Sequence, residues 1–230
     1  MKTKYLTSEN KTTFALLMLS GGMMGAYTFN LRGGVFSNAQ TANIVLMSIA
    51  FGHGEFFAGL YYLIPITAYS LGAFISELFL FSSKKVGYLK WDTILLLIEA
   101  IILFIIGFIP LTWSHHIVQI LINFIAAMQF NTFKKARGIP MSTTFCTNHV
   151  RQLGVVLAQV LETKNWEILQ RLFVHLGMIV SFLVGGIVLT FFVQYFMEKS
   201  IWLACIPLLI CFINLVYTDK IESEKEITLV

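Results

Sequence analysis

Ser37-Asn38-Ala39-Gln40-Thr41-Ala42-Asn43 is a polar run followed at once by a solidly apolar stretch, Ile44 to Phe51. A second stretch repeats the plan: Met141-Ser142-Thr143-Thr144-Phe145-Cys146-Thr147-Asn148-His149, then an apolar part from about Leu153 to Leu161. Eight or nine helical residues cover about 12–14 Å, less than half of a hydrocarbon core of roughly 30 Å. Whether these two segments, 35–52 and 141–161, cross a bilayer or dip in and return decides the fold.

Around them lie six runs long enough to cross, at 14–31, 57–82, 93–111, 117–133, 172–197 and 201–217. Of the 230 residues, 57% are hydrophobic and 12% are charged, and the mean hydropathy is +0.78. A soluble domain carries roughly 25% charged residues. Too few polar side chains remain to clothe a water-facing surface, so lipid is the expected solvent. The run from Phe14 to Leu31 lacks a small-x-small cleavage site followed by a polar mature chain and is read as a retained span.

Basic residues arbitrate the topology. If all eight segments cross, with the N-terminus inside, the inside receives Lys2, Lys4, Lys11, Lys164, Arg171, Lys220 and Lys225. The outside then receives Arg32, Lys84, Lys85, Lys90, Lys134, Lys135, Arg137 and Lys199, which leaves no bias. If only the six long runs cross, Lys84, Lys85, Lys90, Lys134, Lys135 and Arg137 move inside. Only Arg32 and Lys199 then stay outside, a strong positive-inside asymmetry. The net charge of +4 therefore sets topology and does not point to nucleic acid. The expected fold is an all-α polytopic membrane bundle of six spans plus two re-entrant half-helices, with both termini cytoplasmic.

Each half reads span, polar segment, long span, span. Aligning Thr41 with Thr147 places Ser37 opposite Thr143 and Gly25 opposite Asn131. The long spans carry adjacent small residues, Gly72-Ala73 and Gly185-Gly186, which let helix backbones approach closely in lipid. With three spans per half, the second half enters from the opposite side, giving an inverted 3+3 repeat as in many secondary transporters. The expected boundaries are a cytoplasmic tail at 1–13, one membrane repeat at 14–111, a second at 112–217, and a cytoplasmic tail at 218–230.

Two stretches carry a resemblance. Gly21-Gly22-Met23-Met24-Gly25-Ala26-Tyr27-Thr28-Phe29, followed by Gly33-Gly34-Val35-Phe36 and the polar run to Asn43, resembles the YoaK-like family of bacterial membrane proteins. Met128-Gln129-Phe130-Asn131, followed by Pro140 to Asn148, is similar to that family's second motif. The resemblance covers nearly the whole chain and implies a bacterial inner-membrane protein of a class whose function is unassigned. This chain departs from the family at Gly25, where an acid is frequent, and at Ala42 and Asn148, where Gly is frequent. An acid that carried a coupling ion at the first position would be lost or moved here.

Polar residues at membrane depth are costly and usually face the bundle interior or a wet cavity. Ser37, Asn38, Thr41 and Asn43, with Ser142, Thr143, Thr147 and Asn148, are the expected solute contacts. Ser37 and Ser142 read as N-caps of the half-helices, whose N-termini favour anionic or carbonyl-bearing groups. Arg32 and Arg151 would set the field there, and Glu99, deep in its span, is the candidate proton carrier. The competing reading makes the polar loops purely structural, Arg32 an interfacial anchor and Arg151 a snorkelling side chain. Gln129 and Asn131 are two apart and should face different ways. His115 and His116 fall in an outer loop. Cys146, Cys205 and Cys211 have no metal-ligand spacing and read as small packing residues.

No phosphate-binding glycine loop or zinc-protease motif is present in the sequence. The leading expectation is a small-solute secondary transporter or permease, not an enzyme, with no cofactor. Its partners would be the bilayer and a small solute, possible anions included, and it could also form a homo-oligomer. A non-transporting scaffold or subunit of a larger complex is the alternative.

Overall fold

The computed structural model describes residues 7–81 and 87–228. Lys2, Lys4, Ser83, Lys84 and Lys85, all used in the charge count or its loops, lie outside the described residues. Among the described residues the protein is all-α apart from one tiny hairpin and a single bridge residue at Leu89. Its helices are α1 (Lys11–Leu31), α2 (Gln40–Gly52), α3 (Phe56–Tyr61), α4 (Leu63–Phe81), α5 (Trp91–Ile106), α6 (His115–Thr132), α7 (Thr147–Thr163), α8 (Trp166–Phe196) and α9 (Trp202–Thr228). Strands β1 (Lys135–Ala136) and β2 (Ile139–Pro140) pair antiparallel across Arg137 and Gly138, both at positive φ, the backbone such a two-residue turn requires.

Among the described residues, three stretches are long and apolar enough to cross a membrane: Lys11–Leu31, Phe56–Leu80 and the run Ile168–Glu224. The last contains α8 and α9, separated by a 3-10 turn at Met197–Ile201 whose first residue has φ 45°. Several expected bounds shift. The span expected at 57–82 breaks at Tyr62 into α3 and α4. The span expected at 93–111 stops at Ile106, with Gly107 packed under the Trp202 indole. The tail boundaries at 13 and 217 both fall inside helices, α1 and α9.

Contacts fix the direction of every long helix. At one end of the bundle, the Arg137 N–H donates to the Glu9 carbonyl at 3.0 Å, and Lys90 pairs with Asp219 at 3.7 Å and with Glu222. Glu77 binds Lys134 at 3.1 Å at that same end. The start of α1, the loops before α5 and after α6, and the end of α9 thus share one basic end. An alternating eight-span path would put those two loops at the other end from the chain termini. Burial works against the Lys90 charge, but Glu222 and Asp219 outweigh it and hold its pKa above the ordinary lysine value. Lys90's contribution to this clamp is therefore complete at neutral pH and is lost as pH rises through that raised value.

At the opposite end Arg32 reaches the carbonyl of Ile109, and Tyr27 reaches that of Glu198. So α1 and α5 rise from the basic end while α9 descends to it. Helix α8 rises beside α1, with Gly22 against Phe182 low down and Asn30 bonded to Thr190 higher up. Helices α4 and α6 descend together, with Tyr61 at Gln119, Gly72 at Phe124 and Ser76 at Thr132. Helix α1 packs on α8 and α9, and α6 packs on α4 and α5, so each half's first long helix packs on helices of the other half.

The interior is apolar, with Phe14, Leu17, Met18, Leu95, Leu103, Ile122, Ile125 and Leu208 fully buried. Leu71, Phe74, Leu183, Ile187 and Phe191 stay exposed, the outward apolar band a lipid-facing surface needs.

Candidate functional site

Gly21 and Gly25 of α1 are where the two polar segments come together. After Arg32 the chain turns through Gly33 and Gly34, both at positive φ, and runs back along α1 into the bundle. Asn38 Nδ2 then donates to the Gly21 carbonyl at 3.2 Å, and the Ser37 hydroxyl accepts from Thr28 Oγ1 at 3.4 Å. The second segment enters from the basic end after the hairpin. A Cβ on Gly21 would stand 2.8 Å from the Thr143 carbonyl and 3.2 Å from Thr144 Cα. Gln129 Nε2 of α6 donates to the same Thr143 carbonyl at 3.4 Å. Both polar runs thus reach one glycine from opposite ends of the protein, and only a residue without a side chain leaves room for them.

The first segment is satisfied by amides. Asn43 folds back on Phe36, accepting from its N–H at 3.3 Å and donating to its carbonyl at 2.9 Å. Gln40 Nε2 donates to Asn123 Oδ1 of α6 at 2.8 Å. In the second segment Thr143 Oγ1, and beside it Gln129 Oε1 of α6, are buried without a hydrogen-bond partner among the described residues, while the Thr144 hydroxyl lies against Tyr69. Buried polar atoms without partners cost roughly 1–3 kcal/mol each and call for an explanation. A cleft of about 510 Å³ runs between α1 and α8, with Asn38, Asn30 and Thr190 as its polar lining.

The structure separates the expected contacts into two sets. Ser37, Asn38, Asn43, Ser142 and Thr143 are buried. Thr41 and Thr147 are exposed, and Asn148 is half-buried with its Oδ1 accepting from Arg151 Nη2 at 3.1 Å. The meeting point is made by Asn38 and Thr143–Thr144, ahead of the Thr41/Thr147 pair.

Ser37 and Ser142 are not N-caps. Helix α2 begins after Ala39 and α7 after Cys146, neither with a side-chain cap, because the polar runs are spent in irregular, bent chain that reaches Gly21. The helices that follow also do not end inside the protein. They start there and finish at exposed residues, His53–Glu55 and Leu161–Asn165, with Val45, Ile49, Val150 and Leu161 open on their outer faces.

Arg32 is wholly buried and gives its guanidinium to Tyr27, Ile109 and Pro110, not to the polar runs. Glu99 is wholly buried on α5, with both oxygens unpartnered among the described residues and no hydrogen bond to either polar segment. Gln129 and Asn131 do face apart, the first to Thr143 and the second to Glu77. His115 and His116 open α6 half-buried, His116 against Tyr61 at 4.5 Å between rings, because the loop ends earlier than expected.

Two residues with a part here went unnoticed in the sequence, Gln119 and above all His175, and the pairing of Gln40 with Asn123 was not foreseen. His175 lies within an apolar run, and no local pattern announces that it meets His149 across two helices. Glutamine and asparagine recurring at four-residue spacing on α6, Gln119 and Asn123, was the signal that could have been read.

Long apolar helices around two polar segments folded into the interior define a helical membrane protein. The chain belongs to a family of proteins of unknown function, DUF1275, whose sequence model matches residues 13–214. That family description agrees with the unassigned function implied by the resemblance. No curated protein and no solved structure matches the chain.

Proposed function

We propose that this protein is a small-solute secondary transporter of the bacterial inner membrane, with its site where the two polar segments meet at Gly21–Gly25. The carrying observation is that the segments arrive from opposite ends and converge on one glycine, leaving the Thr143 hydroxyl and Gln129 Oε1 without partners among the described residues. Six spans in two inverted halves account for the helix directions: α1, α5 and α8 run away from the basic end, and α4, α6 and α9 run toward it. Corresponding helices of the two halves thus point oppositely, as alternating access around a fixed midplane site requires. The positive-inside rule makes the basic end cytoplasmic. Close packing around Gly21 also suits a non-transporting scaffold, and uptake separates the two.

Reconstituted vesicles should take up at least one solute from a panel of anions, amino acids and sugars above empty vesicles. Thr143→Val keeps the side chain's shape and removes a hydroxyl that has no protein partner, so folding should survive. Uptake of that solute should fall roughly threefold to tenfold, the loss of one hydrogen bond of about 0.5–1.5 kcal/mol. Thr41→Val and Thr147→Val should have smaller effects, since both side chains lie away from the meeting point. Absence of uptake across the panel, together with unchanged stability under every solute, would favour the scaffold.

Topology has its own test. Cysteines placed at Lys135 and Trp113, in a background lacking the native three, should be labelled from opposite sides. Lys135 should be reached only from the cytoplasm and Trp113 only from outside. Labelling of both from one side would overturn the six-span arrangement.

A further inference from the structure

His149 of α7 and His175 of α8 are both buried, and their Nδ1 atoms lie 3.0 Å apart. His149 Nε2 lies 2.9 Å from the Ser142 carbonyl oxygen. A carbonyl only accepts, so His149 Nε2 carries a hydrogen. In the neutral ring Nδ1 is then bare and accepts from His175 Nδ1–H. That leaves His175 Nε2 as the pair's remaining basic nitrogen. The contacts thus determine both tautomers and show a pair able to gain one proton without losing a hydrogen bond.

We propose that the His149–His175 pair is a proton-binding site joining the second polar segment to α8, and that the proton is the transporter's coupling ion. The coupling role rests on the transporter reading, whereas the proton site does not. The step balances simply. One proton from water adds to His175 Nε2, and the Nδ1 hydrogen passes across to His149 Nδ1. One N–H bond breaks at His175 and one forms at His149, with a net gain of one proton. His149 is then the cation, still donating Nε2–H to Ser142, and His175 is neutral in its other tautomer. The charge has moved from α8 to the segment that holds Ser142, Thr143 and Asn148, where it would draw an anionic solute.

Burial and the nearby Arg151 and Arg171 cations work against a standing charge on the pair, so proton uptake is favoured when an anionic solute arrives to offset them. Arg171 stands one helical turn below His175 on α8 and lines a pocket of about 640 Å³ with Lys11 and Arg137. The charged groups facing the pair are Arg151, on α7, and Arg171. Helix α1, the other long helix packed on α8, offers Lys11 beside Arg171 and Tyr27 held by Arg32 at the far end. A metal is the weaker occupant, because no group of three His, Cys, Asp or Glu side chains comes together among the described residues.

Histidine-labelled protein in lipid nanodiscs, titrated by nitrogen NMR, tests the site without any solute. The expected result is a through-hydrogen-bond coupling between the two Nδ1 atoms in the neutral form, and uptake of one proton per pair that shifts both rings together. Rings that titrate independently, or neither taking a proton across the pH range of the folded protein, would overturn the proposal and leave a structural bridge.

His175→Gln keeps a donor for His149 and cannot carry the proton. A cysteine probe at Thr147 should show, in the parent, a pH step in its labelling rate beyond the thiol's own ionisation, and should lose that extra step in the variant. If the variant does not fold, the parent's titration decides. In vesicles, uptake driven by a pH gradient should fall about tenfold in His175→Gln while uptake down the solute's own gradient persists. An unchanged response to the pH gradient would sink the coupling role and leave the transporter standing. Joint titration of the rings with no uptake of any solute would do the reverse.

Discussion

Gly185→Ala should prevent the two halves from closing on one another. A Cβ there would land on the Leu19 carbonyl oxygen of α1, with Leu19 Cα 3.3 Å away. The obstruction is backbone, so no rotamer change relieves it, and α1 and α8 must separate along their length. Overpacking of a well-packed core costs about 1–3 kcal/mol, and a backbone-on-backbone clash belongs at or above the top of that range. In lipid, close van der Waals contact at small residues is the chief attraction between helices, so the separation also forfeits what holds this pair together.

The opposite half makes a matching demand. A Cβ on Gly72 of α4 would land on the Phe124 carbonyl oxygen of α6, and Gly72→Ala should cost about as much. Gly177, also in α8, has no atom within 4 Å of its would-be Cβ, and Gly177→Ala should be neutral or stabilising by up to about 1 kcal/mol through helix propensity. Thermal unfolding of purified protein reads all three. Equal stability of Gly185→Ala and Gly177→Ala would show that the α1–α8 approach is not as close as described.

Arg32→Met should be the second severe change. The Arg32 side chain is fully buried, with no carboxylate among its bonded partners. Nε and Nη2 donate to the Tyr27 hydroxyl at 3.2 and 2.9 Å, Nη1 to the Pro110 carbonyl at 3.2 Å, and Nη2 to the Ile109 carbonyl at 2.6 Å. Tyr27 in turn donates to the Glu198 carbonyl at 3.2 Å, and Gln119 Nε2 donates to the Arg32 carbonyl at 2.7 Å. One guanidinium therefore ties the end of α1 to the turn after α5, and through Tyr27 to the turn before α9.

Methionine fills much of the volume and abandons the two carbonyls. Hydrogen bonds to a charged group are worth about 1.5–3 kcal/mol each, so a loss of about 3–6 kcal/mol is expected. On the usual scaling for a chain of this length, that lowers the unfolding midpoint by roughly 6–24 °C. Arg32→Lys keeps the charge but not the planar fork and should recover only part of it. A lysine variant as stable as the parent would mean that charge alone matters at this position, as it would if Arg32 served mainly to set a field.

The sequence by itself determined that the chain is helical and meets lipid. Hydropathy counts side chains, and too few here are polar. It determined that two polar runs interrupt the apolar pattern, and that the basic loops belong with the termini, because charge bias and interruption are local properties written residue by residue. It did not place the helix starts. Ser37 and Ser142 have the chemistry of caps, yet the chain stays non-helical past them, bent at Ser37–Asn38 and Thr143–Thr144 where both runs meet α1 at Gly21. Nor did it reveal the work of Arg32, whose partners Ile109 and Pro110 lie more than seventy positions away.

Only the tertiary structure decided that Asn38 and Thr143, and not Thr41 and Thr147, stand at the convergence, and that His175 faces His149. Such pairings depend on how closely two backbones approach and at what height they cross. Those distances are set by glycines packed on distant carbonyls, Gly21 on Thr143 and Gly185 on Leu19, and no periodicity within either helix records which carbonyl that will be.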